Sequence, residues 1–309
     1  MGVKQGEGKY NYKAYGLRIN SQIEIDEFIS VEDISEDDID VYFLYGTMPD
    51  NIRKLRLEGK SSFYSKDYVW FEIDNVASYY IKDGNKVIFE PVENINRQYI
   101  NIYLVCSCLG FIMLQREKVA IHGSAIKIND KAIIITGNRG AGKSTLTTAL
   151  RLKGYKFMSD DVAAITIDNN VSINPGFPYQ KLCQDVMNKM GYDKSKFKDC
   201  NCDSIEKYSI SAIESFENKD TVLTTIIEIK VDDINEVKLI EITGFEKLNN
   251  IIKNIYRGEF SGLMGGRTYK YIKKCAYIAQ NINYYQIIRP REKFTVEEQI
   301  AILEEKLLN

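Results

Sequence analysis

One octapeptide constrains this chain more than anything else in it: Gly137-Asn138-Arg139-Gly140-Ala141-Gly142-Lys143-Ser144, in which glycine, four free positions, then glycine, lysine and serine follow one another. The apolar run Ala132-Ile133-Ile134-Ile135 precedes it, and Thr145-Leu146-Thr147-Thr148-Ala149-Leu150 follows with the composition of a helix. Strand, glycine loop and helix in that order make a cradle for an anion. The glycines let backbone N–H groups turn inward, and the helix that starts at the end of the loop adds its positive pole. Gly137, Asn138, Arg139, Gly140, Ala141, Gly142, Lys143, Ser144 and Thr145 are then the expected contacts to ATP. Lys143 is expected to bridge the β- and γ-phosphates, and Ser144 to ligate Mg²⁺ through its hydroxyl. A glycine-rich turn before an ordinary helix is the plain alternative.

The segments around the loop predict an α/β domain. Ile126-Lys127-Ile128, the turn signal Asn129-Asp130 and Lys131 to Thr136 read as paired strands; Leu223 to Val231 and Val237 to Ile242 read as further strands, and Val296 to Leu308 as an amphipathic helix. Upstream, residues 10–90 alternate β-branched and aromatic runs with turns, as in Tyr79-Tyr80-Ile81-Lys82, Asp83-Gly84-Asn85 and Lys86-Val87-Ile88-Phe89, which predicts a small β-rich domain of hairpins. Between the two, Tyr99, Ile102, Tyr103, Cys106, Leu109, Ile112 and Met113 recur at helical intervals, so one long core helix is expected over Asn96 to Lys118. The domain boundaries are placed at 1–93 and 94–309, two unequal parts as the length of 309 residues suggests.

Eighteen residues or fewer beyond Lys143, Asp160 and Asp161 interrupt an apolar context, Tyr155-Lys156-Phe157-Met158 before them and Val162-Ala163-Ala164-Ile165 after. Adjacent like charges in a partly buried place call for a cation or a proton to relieve them. In phosphoryl transfer one carboxylate orients the metal and another accepts the nucleophile's proton. Asp160 is given the metal side with Ser144, and Asp161 the base, with their order open. A solvated Asp-Asp turn is the alternative. His122, the only histidine, lies in Val119-Ala120-Ile121-His122-Gly123-Ser124-Ala125, where an ordinary hydrogen-bonded role competes with a catalytic one.

Other classes are set aside by composition. Lys and Arg total 41 against 43 Asp and Glu, so no broad positive field exists for nucleic acid. The charged and polar residues Arg97, Gln98, Asn101, Arg116 and Glu117 leave too short an apolar core for a membrane span. The first residues do not read as a secretory signal. Cys106, Cys108, Cys183, Cys200, Cys202 and Cys275 are spaced for reduced thiols rather than zinc, which places the chain in the cytoplasm. The acidic stretch from Glu32 to Asp40 reads as a solvated face, with a docking site for a basic peptide as the secondary reading.

His122-Gly123-Ser124-Ala125, Gly140-Ala141-Gly142-Lys143-Ser144-Thr145 and Ser159-Asp160-Asp161, at their spacing, resemble the catalytic domain of the HPr kinase/phosphorylase family. Tyr12-Lys13-Ala14-Tyr15-Gly16-Leu17-Arg18-Ile19-Asn20-Ser21 and Pro175-Gly176-Phe177-Pro178-Tyr179-Gln180-Lys181-Leu182 look like shorter relatives found beside ribosomal peptide pathways, lasso-peptide tailoring kinases among them. The resemblance implies a P-loop kinase domain of the HPr kinase/phosphoenolpyruvate carboxykinase type. It also implies that Asp161 activates an acceptor serine and that His122 sits beside the transferred phosphate. The glutamate-led, glycine-containing segment of bifunctional family members is not recognisable, so phosphorolysis and HPr as substrate are not carried over. Lys181, Arg257, Arg267 and Arg289 are candidate cations for the phosphate or the peptide. The expected activity is an ATP- and Mg²⁺-dependent serine kinase acting on a peptide or small protein, with homo-oligomerisation left open. A P-loop ATPase or nucleotide switch, a nucleotide sensor without chemistry, and an HPr-type protein kinase are the rivals.

Overall fold

A computed structural model describes residues 10–32, 34–193, 197–199 and 207–308. The backbone divides into two compact units, residues 1–118 with 257–271, and residues 119–256 with 272–309.

The first unit is built on a seven-stranded mixed sheet. Its strands are β1 (Tyr10–Ala14), β2 (Leu17–Ser21), β3 (Val41–Tyr45), β4 (Ser62–Tyr64), β5 (Tyr68–Ile73), β6 (Ala77–Lys82) and β7 (Lys86–Pro91), in the order β1-β2-β3-β7-β6-β5-β4. The expected hairpin of β6 and β7 is present, with Lys82 opposite Lys86. The β1–β2 link is the two-residue turn Tyr15-Gly16, both at positive φ (57° and 70°), which matches the right-handed twist of the flanking strands. Helix α1 (Asp50–Leu57) places Ile52 against Trp70 and Tyr80.

The long helix expected from the sequence is α2 (Arg97–Tyr103), a π-helical turn at Leu104–Cys108, and α3 (Leu109–Gln115). The boundary expected at residue 93 differs from the backbone division, because this helix belongs to the first unit. Its aromatic side chains pack there, Phe111 at 6.0 Å from Phe71 and Tyr103 at 5.8 Å from Tyr79 between ring centroids. Its last residues are fastened to the same unit, since Gln115 Oε1 accepts from Gly84 N and Arg116 pairs with Asp40 at 2.8 Å. By length and composition Arg97–Gln115 could cross a membrane, but 67% of its apolar window is buried inside the fold, as a core helix requires. The acidic stretch is partly spent internally, with Asp38 paired to Arg18 and Asp40 to Arg116. Asp33 lies outside the described residues.

The second unit carries β8 (Ala120–Ile128), β9 (Lys131–Gly137), β10 (Lys156–Ser159), β11 (Val162–Ile167), β12 (Val171–Asn174), β13 (Tyr179–Cys183), β14 (Lys198–Asp199), β15 (Lys207–Ser211), β16 (Thr221–Asp232), β17 (Lys238–Glu241) and β18 (Asn283–Pro290). Its helices are α4 (Lys143–Leu152), α5 (Gln184–Lys189), α6 (Gly244–Lys253), α7 (Tyr269–Asn281), which begins in the first unit, and α8 (Val296–Leu308). Eight strands form one sheet, and the pairing β8–β9–β16–β12–β11 returns to β8, so the sheet curls on itself. β13, β15 and β14 make a separate small sheet. The parallel trio β9–β16–β18 buries Ile133, Ile135, Ile227, Ile229 and Ile287 with Leu146 and Leu150 of α4 and Ile300 and Leu303 of α8. Apolar residues on every second position of the strands and at helical spacing on α4 and α8 dictate this layer. It fixes the start of α4 at the carboxyl end of β9.

Candidate functional site

The glycine loop leaves β9 beside β16, and the sheet explains its first residue. A Cβ on Gly137, whose φ is 140°, would stand 2.4 Å from the Ile229 carbonyl oxygen, so only glycine lets β9 end this close to its neighbour. Gly140 (φ 79°) and Gly142 (φ 107°) also take left-handed conformations, and Gly142 caps α4. Asn138, Arg139 and Gly140 form the exposed crest of the loop, Ala141 is buried beneath it, and Ser144 and Thr145 are half-buried at the start of α4.

Lys143 lies back over the loop, its Nζ donating to the Gly137 carbonyl (2.9 Å) and the Asn138 carbonyl (3.2 Å). Burial lowers its pKa from the ordinary lysine value, and the charges of Asp161 and Asp160 work in the opposite direction. Two side chains brace the loop from outside. Arg289 of β18 donates through Nε to the Ala141 carbonyl at 2.8 Å and through a terminal nitrogen to the Gly140 carbonyl at 3.4 Å. Gln180, fully buried on β13, donates to the Ser144 carbonyl and accepts from Thr148 Oγ1. Arg289 therefore acts on loop carbonyls, not as a free cation aimed at phosphate.

The acidic pair is located by strand pairing. β10 and β11 run along the same strand, β8, with Ser159 opposite Ala125 and Val162 opposite His122. That register sets Asp160 beside Ser124 and Asp161 beside Gly123, whose amide donates to the Asp161 carbonyl at 3.1 Å. On its other edge β8 pairs with β9, Gly123 opposite Thr136. The histidine-containing segment is thus the strand between the loop strand and the acidic pair.

The two aspartates occupy different surroundings. Asp160 is 5% exposed; its Oδ1 accepts from the Ser124 hydroxyl at 2.8 Å and its Oδ2 from the Lys181 amide at 2.9 Å. Burial, with the neighbouring Asp161 charge, pushes it up to about 6. Asp161 stands at φ 59°, a left-handed turn that Asp tolerates better than most residues, and its side chain is 32% exposed. Burial by itself would raise its pKa, but Lys181, Lys207, His122 and Lys143 outweigh it and hold Asp161 below the usual carboxylate range. The Lys181 ammonium is 3.8 Å from Asp161 Oδ2. The more accessible, ionised carboxylate is accordingly Asp161, while both oxygens of Asp160 already serve protein donors.

His122 is half-buried, its ring stacked at 5.8 Å on Tyr256, its amide donating to the Asn254 carbonyl at 2.7 Å and its carbonyl accepting from Thr136 Oγ1. Arg257 and Arg267 are engaged in the first unit: Arg257 donates to Ser107 Oγ and lies over the Phe111 ring, and Arg267 donates to the Gly258 carbonyl. Lys207 is a member of the site that no motif in the sequence selects. It lies opposite Cys183 through the β13–β15 pairing, and no local motif signals a partner met only across a sheet. Cys106, Cys108, Cys183 and Cys275 are free thiols, and Cys200 and Cys202 lie outside the described residues. Among the described residues no group of three or more His, Cys, Asp or Glu is arranged for a metal. A Mg²⁺ ion that takes most of its ligands from phosphate and water needs no such group.

A cleft of about 380 Å³ opens in front of the loop, lined by Gly140 and Gly142 to Leu146 on one side and by α5 and residues 291–296 on the others. Comparison with family models finds no match, and neither does comparison with curated proteins. Among solved structures the chain is similar to the Hpr(Ser) kinase/phosphatase from Coxiella burnetii, at 14% identity and a TM-score of 0.35, over 61% of this chain and 90% of that one. At that level of superposition nothing about chemistry is taken from it.

Proposed function

We propose that this chain is an ATP- and Mg²⁺-dependent kinase that phosphorylates a serine of a peptide or small protein. The observation that carries the reading is Asp161: an ionised, accessible carboxylate among Lys181, Lys207, His122 and Lys143, one strand away from the strand that feeds the glycine loop. The residues fit the nucleotide. Three left-handed glycines shape the loop, the Lys143 ammonium rests on loop carbonyls from which it can turn to phosphate oxygens, and Ser144 lines the cleft.

Mg·ATP, when bound, would supply the γ-phosphoryl group, with ADP as the leaving group. The protein's part is positional and electrostatic. Loop amides and Lys143 hold the negative charge in place. Ser144, at the start of α4 and on the cleft wall, would present its hydroxyl to the metal. Asp161 accepts the proton of the acceptor Oγ as that oxygen becomes the nucleophile. Lys181 and Lys207 keep Asp161 ionised, and Asp160 secures the turn through Ser124 and the Lys181 amide. The ribosomal-peptide precursors suggested by the sequence are the favoured acceptors, and the cytoplasm the favoured compartment.

The test is a peptide library incubated with Mg·ATP and read by mass. One added phosphate on a serine-containing acceptor is expected, and Asp161→Asn should slow transfer by at least about 100-fold while nucleotide affinity changes little. Free phosphate released at the same rate with or without any acceptor would replace the kinase by an ATPase.

A further inference from the structure

The glycine loop supplies only part of the cleft's lining, and the remaining residues have their own chemistry. Phe294 lines it while 51% exposed, an arrangement water penalises for an aromatic ring. Lys189 Nζ stands over the ring at 5.1 Å from its centroid, and Val186 and Val296 continue the apolar wall. Gln299 lines the same cleft at 5% exposure. Its Nε2 donates to Thr295 Oγ1 at 3.2 Å, and its Oε1 is buried with no partner among the described residues. An acceptor buried in this way costs stability until a donor reaches it. The torsion that turns an amide is soft, so the oxygen can swing toward a ligand in the cleft.

The geometry points to a nucleobase site: the adenine ring of the nucleoside triphosphate stacks on Phe294, with Gln299 accepting from its exocyclic amine. The volume of about 380 Å³ falls in the range of small-molecule sites. Stacking needs only a π face, and the acceptor adds preference for a base that carries an amine. The site extends the proposed kinase reading, because it presumes that the loop holds the triphosphate of the same molecule.

Calorimetric titration of the full chain with Mg·ATP and with magnesium tripolyphosphate separates the two ideas. Phe294→Ala is expected to weaken ATP binding about tenfold and leave tripolyphosphate unchanged, and Phe294→Trp to preserve ATP binding. ATP is expected to bind more tightly than ITP, which has a 6-oxo group in place of the amine. If Phe294→Ala binds ATP like the wild type, or loses ATP and tripolyphosphate equally, the base site is wrong while the loop reading stands. Equal affinity for ATP and ITP removes the role of Gln299. If the wild type binds neither ATP nor tripolyphosphate, the loop reading falls and the base site with it.

Discussion

Replacing Asp160 by Asn isolates the cost of burying one charge. Asp160 is 5% exposed and rises from an ordinary 3.8 to about 6, through burial and the adjacent Asp161 charge. A shift of roughly two units corresponds to about 3 kcal/mol between the protonated and ionised forms. For an acid whose folded pKa is raised, the native state holds the proton more tightly than the unfolded chain. Its stabilising contribution is complete below about pH 4 and is lost as pH rises to about 6. Asparagine keeps an acceptor for the Lys181 amide, and the Ser124 hydroxyl can rotate to accept from its NH₂ group. The variant should therefore match the wild type near pH 4 and exceed it by up to about 3 kcal/mol near pH 7. The neighbouring Asp161 is lowered instead, so its contribution is lost only as pH falls below the ordinary carboxylate value, outside this window. Urea unfolding followed by circular dichroism across that range measures the difference. A gap between variant and wild type that does not change with pH would show that the Asp160 charge is not what separates them.

Two further outcomes are expected. Gly137→Ala places a methyl group 2.4 Å from the Ile229 carbonyl oxygen at a φ of 140°, and should cost about 2 kcal/mol or more in denaturation and abolish nucleotide binding; near-native stability would show that β9 and β16 can part. Arg289→Ala removes the donors to the Gly140 and Ala141 carbonyls and should raise the KM for ATP about tenfold, with Arg289→Lys intermediate and kcat little altered; an unchanged KM would leave Arg289 a bystander.

Much of the second unit was legible in order along the chain. β9, the loop and α4 follow one another as the octapeptide and its flanks require, the β8–β9 hairpin turns at Asn129-Asp130, and α8 spans Val296–Leu308 as its periodicity predicts. Periodicity also identified the long helix, but it could not assign that helix to a unit. Spacing shows which face is apolar, not which core receives it, and here Phe71 and Tyr79 of the first sheet do.

Local sequence was enough to place the glycine loop, because its glycines, the lysine and the helix start lie within eight consecutive residues. It also marked Asp160 and Asp161 as an unusual pair. Which of the two is hydrogen-bonded and raised, and which is partly exposed and lowered, depends on the fold. Strand pairing sets Ser124 and the Lys181 amide on Asp160 and brings Lys181 and Lys207 toward Asp161. A carboxylate's ionisation depends on charges and donors within a few ångströms, and those neighbours arrive from across the sheet rather than along the chain.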